Sequence, residues 1–198
     1  GEYIKYGEWL AEPRSEEVFM GEKLFIRQTG DSLIATYDKG NVSNNTLHSI
    51  YPLDTNESVS LYYLLGVINS KLLNWYYKIV NYLEVGKPMA EVKGIYIRKL
   101  PVATADIVIM ESVEVYVKEL MELCSRRYLT KQEFITFIIN AYEPRKISEQ
   151  LDHFYDNSFK DFCVELKKQK VKLTASQQME LLPLFDERKK QISEISAH

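Results

Sequence analysis

Residues 64–77, LLGVINSKLLNWYY, decide how the first half of the chain folds. Apolar residues run through this stretch as in a buried helix, but the polar residues 69–71 interrupt them. Serine is a favourable helix N-cap, because its hydroxyl accepts a free backbone N–H of the first turn. The stretch therefore predicts two short helices, from about residue 61 to 68 and from 71 to about 81, that meet at a bend at Ser70.

The sequence leaves two explanations for this bend. The N-terminus of a helix offers free backbone N–H groups to an anion such as a phosphate, and Ser70 and Lys71 would complete such a site. Lys71 lies in the first turn, where a positive charge opposes the helix dipole, so helix stability does not explain it. The alternative is that the bend serves only the packing of the two helices.

Short strand-like segments surround this helix pair. Residues 23–27 and 32–37 read as neighbouring strands, because Gly30 and Asp31 between them allow a tight turn. Residues 46–51 and 95–97 are predicted as two further short strands. Pro101 marks the end of this part of the chain.

From Asp106 onward the pattern is helical. The predicted helices cover residues 106–127, a segment from the capping box at Thr130 to just before Pro144, residues 148–155, residues 158–170, and a last helix that opens at Thr174 and is kinked by Pro183. The predicted fold class is therefore α+β. It consists of a small mixed sheet with short helices over residues 1–103, followed by an all-α C-terminal helical subdomain over residues 104–198.

The net charge of −3 argues against a protein that coats nucleic acid without selectivity. The charge is unevenly distributed, however. Residues 1–60 carry five lysines and arginines against ten acidic residues, whereas residues 61–100 carry six against two, a local net charge of +4. Positive charge concentrated in one segment is what a binding site for an anionic partner requires.

Hydropathy and cysteine usage favour a cytoplasmic protein. No apolar run reaches the length of a membrane span, and no secretory leader pattern is present, so we expect no membrane partner. The two cysteines, Cys124 and Cys163, are compatible with a lone disulfide or with two reduced, buried thiols.

The search for catalytic motifs gives one partial match. Glu91-Val92-Lys93 fits half of a metal-dependent nuclease motif, in which a carboxylate holds Mg²⁺ and a lysine assists the attack of water. The full motif also needs an aspartate, usually after proline, and the chain has no Pro-Asp. The three histidines show no metal-ligand spacing, and no glycine-rich cofactor loop of the Gly-x-Gly type occurs, so no metal and no cofactor is expected in this chain.

Polar residues suited to reading DNA are concentrated in the α/β half. Arginine can bind guanine with two hydrogen bonds, asparagine or glutamine can bind adenine in the same way, and lysines contact phosphates. The candidate DNA-binding residues are Arg27, Gln28, Thr29, Lys39, Asn44, Asn45, Ser70, Lys71, Lys87, Lys93, Tyr96 and Arg98.

The order of these motifs resembles that of a known family. The segments that carry the resemblance are residues 24–30 (LFIRQTG), 34–38 (IATYD), 45–50 (NTLHSI), 63–77 and the closing Leu-Pro-Val of 100–102. Together they resemble the TaqI-like C-terminal specificity domain over residues 20–102. This is the target recognition domain of type II restriction–modification enzymes and adenine-specific DNA methyltransferases, and it is related to the recognition domains of type I specificity subunits.

The resemblance implies a division of labour. This chain would bind double-stranded DNA and be non-catalytic by itself. A methyltransferase or nuclease domain that precedes it in the parent enzyme would supply the chemistry, with S-adenosylmethionine and Mg²⁺ as cofactors. Because residues 69–71 mark the fold in that family, the resemblance implies a structural or phosphate-directed role for them. Two other functions stay open at this point: a protein–protein interaction or oligomerisation module, and a metal-dependent nuclease using Glu91 and Lys93.

Overall fold

The computed structural model describes residues 19–43, 46–52 and 59–197. The chain divides into two compact units, Gly1–Lys118 and Glu119–His198. The functional boundary expected between residues 103 and 104 stays a prediction.

The first unit contains a three-stranded antiparallel sheet. Its strands are β1 (Glu22–Arg27), β2 (Ala35–Lys39) and β3 (Leu47–Ile50), in the order β2-β1-β3. The central strand β1 buries four consecutive residues, 23–26, of which the last three are apolar. The α+β fold class is confirmed, and the pairing of these strands is antiparallel rather than mixed.

One charged side chain lies inside this sheet region. Lys23 is fully buried, and the strand register places it directly opposite Asp38. Its Nζ lies 2.9 Å from Asp38 Oδ2 and donates a hydrogen bond to the carbonyl of Phe19 at 2.6 Å. The hydrogen bonds that the ammonium donates and its ion pair with Asp38 compensate for its removal from water.

The two predicted helices are present as α1 (Leu61–Asn69) and α2 (Lys71–Val80). The side chain of Ser60 caps α1, and that of Ser70 accepts the Leu73 N–H at 3.1 Å to cap α2. The predicted bend at Ser70 is therefore confirmed.

The expected strand at residues 95–97 is wrong, because this segment forms the short helix α3 (Gly94–Ile97). The carbonyl of Lys93 accepts the N–H groups of both Tyr96 and Ile97. The alternation of Ile95, Tyr96 and Ile97 suits a strand that packs on a core, but Ile95 is 60% exposed here. Without burial on one face, local hydrogen bonds decide the conformation.

The long helix α4 (Ile107–Tyr142) contradicts the prediction of two separate helices. No glycine or proline separates Arg127 from Thr130, so the capping-box residues at Thr130 simply continue the helix. The expected end before Pro144 is confirmed.

The second unit continues with three more α-helices and one helical turn. They are α5 (Glu149–Asp152), a 3₁₀ turn (Phe154–Asp156), α6 (Phe159–Lys168) and α7 (Ala175–Ala197). The side chains of Thr174 and Gln177 bond each other's backbone N–H, which confirms the predicted capping box. The core is an aromatic cluster of Phe134, Phe154, Phe162 and Phe185, all of them buried.

Both thiols are free, and they differ in burial. Cys124 is exposed, contrary to the expectation of two buried thiols, because it lies on an outward face of α4. Cys163 is half-buried, and burial raises the pKa of its thiol. Within the described residues, no helix combines the length and apolar character needed to cross a membrane.

Candidate nucleic-acid interface

The side chain of Asn69 joins the helix bend to the sheet. Its Oδ1 accepts the backbone N–H of Ala35 at 2.9 Å, and its Nδ2 donates to the Ala35 carbonyl at 3.0 Å. Ala35 lies on strand β2, which is an edge strand of the sheet that the described residues form, so its outward backbone groups have no neighbouring strand among those residues. The carboxamide of Asn69 takes the place of a peptide group from such a strand.

Asn74 makes a second connection from the same bend. Its Oδ1 accepts the N–H of Leu33 at 2.7 Å, while its Nδ2 donates to the carbonyls of Ile68 and Ser70. These contacts, together with the Ser70 cap, explain the polar interruption between the helices as a packing device. The adjacent Lys71 is exposed, and its ammonium has no ion pair within the described part of the chain.

The chain beyond β1 pairs with a distant segment. The N–H of Val92 donates to the carbonyl of Gln28 at 2.7 Å, the N–H of Gly30 donates to the carbonyl of Ala90 at 2.8 Å, and Thr29 forms a β-bridge with Glu91. This short ladder holds residues 28–30 beside residues 90–92.

The ladder places two polar side chains side by side. Gln28 Nε2 donates to Glu91 Oε1 at 3.1 Å, and this pair is accessible to solvent. The backbone N–H of Gln28 donates to the carbonyl of Thr46 at 3.0 Å, which fixes the main chain from the other side.

Arg27 extends over Gly30. A Cβ atom added at Gly30 would lie 2.6 Å from Arg27 Nη2, which the flexible arginine side chain could relieve by moving. Gly30 has a φ of +147°, so glycine is favoured here by its backbone conformation. Arg27 is exposed, and within the described residues no hydrogen bond or ion pair engages its guanidinium. Thr29, which lies between Arg27 and Gly30 in the sequence, is also exposed.

Two lysines share one carboxylate. Glu84 is buried, and its Oε1 lies 3.1 Å from Lys87 Nζ and 3.3 Å from Lys93 Nζ. Its Oε2 accepts the backbone N–H of Glu91. Hydrogen bonds from Lys87 and then Lys93 lower the pKa of the Glu84 carboxyl, so the three side chains carry a net charge of about +1 at neutral pH.

Further polar contacts hold residues 90–92 in place. Asn81 Nδ2 donates to the carbonyl of Glu91 at 3.2 Å and to the hydroxyl of the fully buried Tyr77 at 2.7 Å. Burial raises the pKa of the Tyr77 hydroxyl. His48 Nε2 lies 2.6 Å from the carbonyl of Val92.

We call the group Arg27, Gln28, Thr29, Glu84, Lys87, Glu91 and Lys93 the β1-end cluster. It unites five of the residues proposed from the sequence, and it adds Glu84 as a residue that sequence reasoning missed. A buried acidic residue has no periodic signal in the sequence, although its lysine partner at i+3 is a recognisable helical-turn pair.

The other proposed residues lie elsewhere or are outside the described part. Lys39 pairs with Glu22 at the opposite end of β1 from Arg27. Tyr96 is a half-buried residue of α3. Arg98, the first residue after the end of α3, is exposed. Asn44 and Asn45 lie outside the described residues.

The nuclease hypothesis requires Glu91 and Lys93 to act together at one metal site. The carboxylate of Glu91 bonds Gln28, whereas Lys93 pairs with Glu84. Among the described residues, no group of three or more histidine, cysteine, aspartate or glutamate side chains is arranged to hold a metal ion.

Comparison with protein families decides the relationship of this chain. The model of the TaqI-like C-terminal specificity domain matches residues 1–102, which is just over half of the chain. The chain belongs to the TaqI-like C-terminal specificity domain family. The TaqI-like match contains the sheet, helices α1 to α3 and the whole β1-end cluster.

The C-terminal part of the chain matches a second family model, which has no assigned function. Residues 107–198, which follow the TaqI-like domain, match a domain of unknown function, DUF8810. Searches of curated proteins and of solved structures gave no significant match.

Proposed function

We propose that this chain binds double-stranded DNA sequence-specifically, as the target recognition domain of a restriction–modification enzyme, and is non-catalytic by itself. Membership of the TaqI-like specificity family suggests a role in recognising a DNA target. The observation that carries the proposal of sequence-specific binding is the β1-end cluster. The backbone ladder holds the carboxamide of Gln28 beside Glu91, Arg27 precedes the ladder with a guanidinium that has no partner among the described residues, and Lys87 and Lys93 flank the ladder through Glu84.

The cluster supports a division between base and phosphate contacts. Arg27 and Gln28 are the side chains suited to reading base edges, because their donors and acceptors match guanine and adenine in the major groove. Lys87 and Lys93 are suited to phosphates, which position a protein on the duplex without reading its sequence. The exposed cations Lys71 and Arg98 extend this second group.

The proposal includes a partner domain. A methyltransferase or nuclease domain of the same parent protein would use S-adenosylmethionine and Mg²⁺, with the duplex held between it and this chain. An enzyme that modifies a base extrudes that base into its own pocket, so recognition and chemistry can be divided between domains.

The test is a selection from a randomised duplex pool, carried out with this chain at low and at moderate salt. The proposal expects enrichment of a motif of a few base pairs, with binding that weakens steeply as salt rises, because phosphate contacts release counterions. Binding that neither selects a motif nor responds to salt would contradict it.

One specific observation favours a second candidate function, a protein-interaction module. Helix α2 and Tyr82, two residues beyond its end, expose an apolar stripe at helical spacing: Leu72 is 73% exposed, Trp75 61%, Ile79 51% and Tyr82 69%. Exposed apolar patches mark sites of protein–protein interaction, among others. This function predicts association that salt does not weaken and that a Trp75→Ser, Ile79→Ser variant loses in sedimentation analysis.

A further inference from the structure

We propose that Gln28 reads an adenine in the major groove and that Glu91 is the positioning residue that orients its carboxamide for this base. The inference rests on the proposed DNA-recognition function and names one of its specificity determinants. It starts from the hydrogen bond of 3.1 Å between Gln28 Nε2 and Glu91 Oε1, which joins residues 63 positions apart.

The chemistry of the pair fixes the direction of the carboxamide. An ionised carboxylate only accepts hydrogen bonds, so the nitrogen of Gln28, not its oxygen, must face Glu91. The remaining N–H and the free Oε1 of Gln28 then form one donor and one acceptor. Adenine presents the complementary pair in the major groove, an acceptor at N7 and a donor at N6.

The same bond disfavours guanine. Guanine presents two acceptors, N7 and O6, in the major groove, so Oε1 of Gln28 would face an acceptor. An unrestrained glutamine could avoid this repulsion by turning its oxygen away from the base and donating both amide N–H groups to N7 and O6. In Gln28 one of these N–H groups is donated to Glu91, so this arrangement would lose a charge-assisted hydrogen bond, and Glu91 makes the choice of adenine more stringent.

The backbone holds both residues before any ligand binds. Glu91 is fixed through the β-bridge to Thr29, through its carbonyl to Asn81 and through its N–H to Glu84. The carbonyl of Gln28 accepts the Val92 N–H at 2.7 Å. Contacts that are already ordered cost less conformational entropy on binding, which suits a base-reading pair.

Because Glu91 is charged, its substitution can distinguish a role in orienting Gln28 for base reading from a purely structural role. A surface hydrogen bond between two exposed side chains that only tied the ladder would affect folding alone. A carboxylate beside DNA phosphates opposes binding to every duplex. Its removal by Glu91→Gln therefore predicts a particular combination: weaker discrimination between adenine and guanine, together with unchanged or stronger binding to unrelated duplexes.

The experiment is the duplex selection performed with the wild type, Glu91→Gln and Gln28→Ala. The matched control is Gln191→Ala in α7, because Gln191 Nε2 donates to Glu187 Oε1 at the same 3.1 Å. Gln191 is half-buried and also accepts a hydrogen bond from Arg188. Gln28→Ala identifies the base pair read by Gln28 as the position that loses its preference. At that position we expect adenine for the wild type and the control, and a preference over guanine that falls about tenfold in Glu91→Gln.

Each alternative outcome has its own meaning. Glu91→Gln with the wild-type motif and an unchanged adenine-to-guanine ratio would overturn the inference while leaving the proposed function intact. A preference at the Gln28 position for a base other than adenine would also overturn it. A wild type that binds no duplex would overturn the proposed function, and this inference with it. Thermal melts of all variants identify any change that reflects unfolding.

Discussion

Asn69 pairs with both backbone polar groups of Ala35, with hydrogen bonds of 2.9 and 3.0 Å, and thereby satisfies the outward-facing groups of strand β2 at this residue. The pairing explains why a polar residue ends α1 inside an otherwise apolar stretch. It also connects the helix pair to the sheet whose central strand ends at the β1-end cluster.

Replacement of Asn69 tests this connection. Asn69→Ala leaves the N–H and carbonyl of Ala35 without these partners, so we expect a loss of about 2 kcal/mol in the free energy of unfolding. Denaturant titration followed by fluorescence measures it. The control is Asn140→Ala on the exposed surface of α4, which should change stability by less than about 0.5 kcal/mol. Equal effects of the two substitutions would contradict the structural role of Asn69.

Two ion pairs of β1 and β2 should differ greatly in their contribution to stability. Lys23→Ala removes a fully buried ammonium opposite Asp38, whose side chain is only 11% exposed, and should cost about 3 kcal/mol because that carboxylate loses its counter-charge. Lys39→Ala removes an ion pair with Glu22 whose partners are 68% and 49% exposed, and should cost about 0.5 kcal/mol or less. Similar losses in denaturant titration would show that burial of Lys23 does not decide its contribution.

The end of α6 offers a stabilising substitution. Lys170 has a φ of 69°, its N–H donates to the Lys167 carbonyl, and the next N–H donates to the Leu166 carbonyl, as in a Schellman motif. Glycine adopts a positive φ without steric strain, so Lys170→Gly should raise the free energy of unfolding, measured by denaturant titration, by about 0.5 to 1 kcal/mol. Lys167→Gly, three residues earlier within α6, should instead lower it by about 1 kcal/mol. Destabilisation by both substitutions would contradict this reading.

Glu165 should make the second unit sensitive to acid. It is buried, and hydrogen bonds from Lys168 and then from Ser148 hold the pKa of its carboxyl below the ordinary 4.5. A depressed folded-state pKa gives stability that is present above pH 4.5 and lost as the pH falls through the folded value. The stability difference between the wild type and Glu165→Gln should therefore shrink below pH 4.5 in denaturant titrations at several pH values. A difference that is independent of pH would contradict the prediction.

The proposed phosphate contacts predict a uniform effect on DNA. Lys71→Ala should weaken binding to all duplexes alike and reduce the slope of log affinity against log salt by about 1. Fluorescence anisotropy with two unrelated duplexes measures both quantities. A loss confined to one sequence would assign Lys71 to base reading instead.

Local chemistry explains which features the sequence predicted. The break at Ser70 was predictable because a serine cap and its helix are neighbours in the chain. The pairing of β1 with β2 was also predicted, but the tight turn expected at Gly30-Asp31 is wrong, because residues 28–30 pair with residues 90–92 and β2 begins only at Ala35. Two local signals gave wrong predictions. Residues 95–97 alternate like a strand but are not packed as one, and the capping box at Thr130 lies in a position where the helix continues.

Contacts between distant residues were beyond sequence reasoning. Arg27, Gln28, Lys87 and Lys93 were proposed for their residue types, but their assembly depends on a ladder between residues 28–30 and 90–92. Asn69 was interpreted through its neighbours Ser70 and Lys71, whereas its partner is Ala35 on strand β2. A single sequence gives no sign of which distant backbone groups a carboxamide will meet.

The central claim is that this chain recognises a DNA sequence through the β1-end cluster. The most direct test measures the affinity of the wild type, Arg27→Ala and the control Arg126→Ala for the selected duplex and for a scrambled one, across a range of salt. We predict that the wild type and the control prefer the selected duplex by about tenfold or more, and that Arg27→Ala loses most of this preference without losing salt-sensitive binding. Equal affinity of the wild type for both duplexes, or an undiminished preference in Arg27→Ala, would contradict the account.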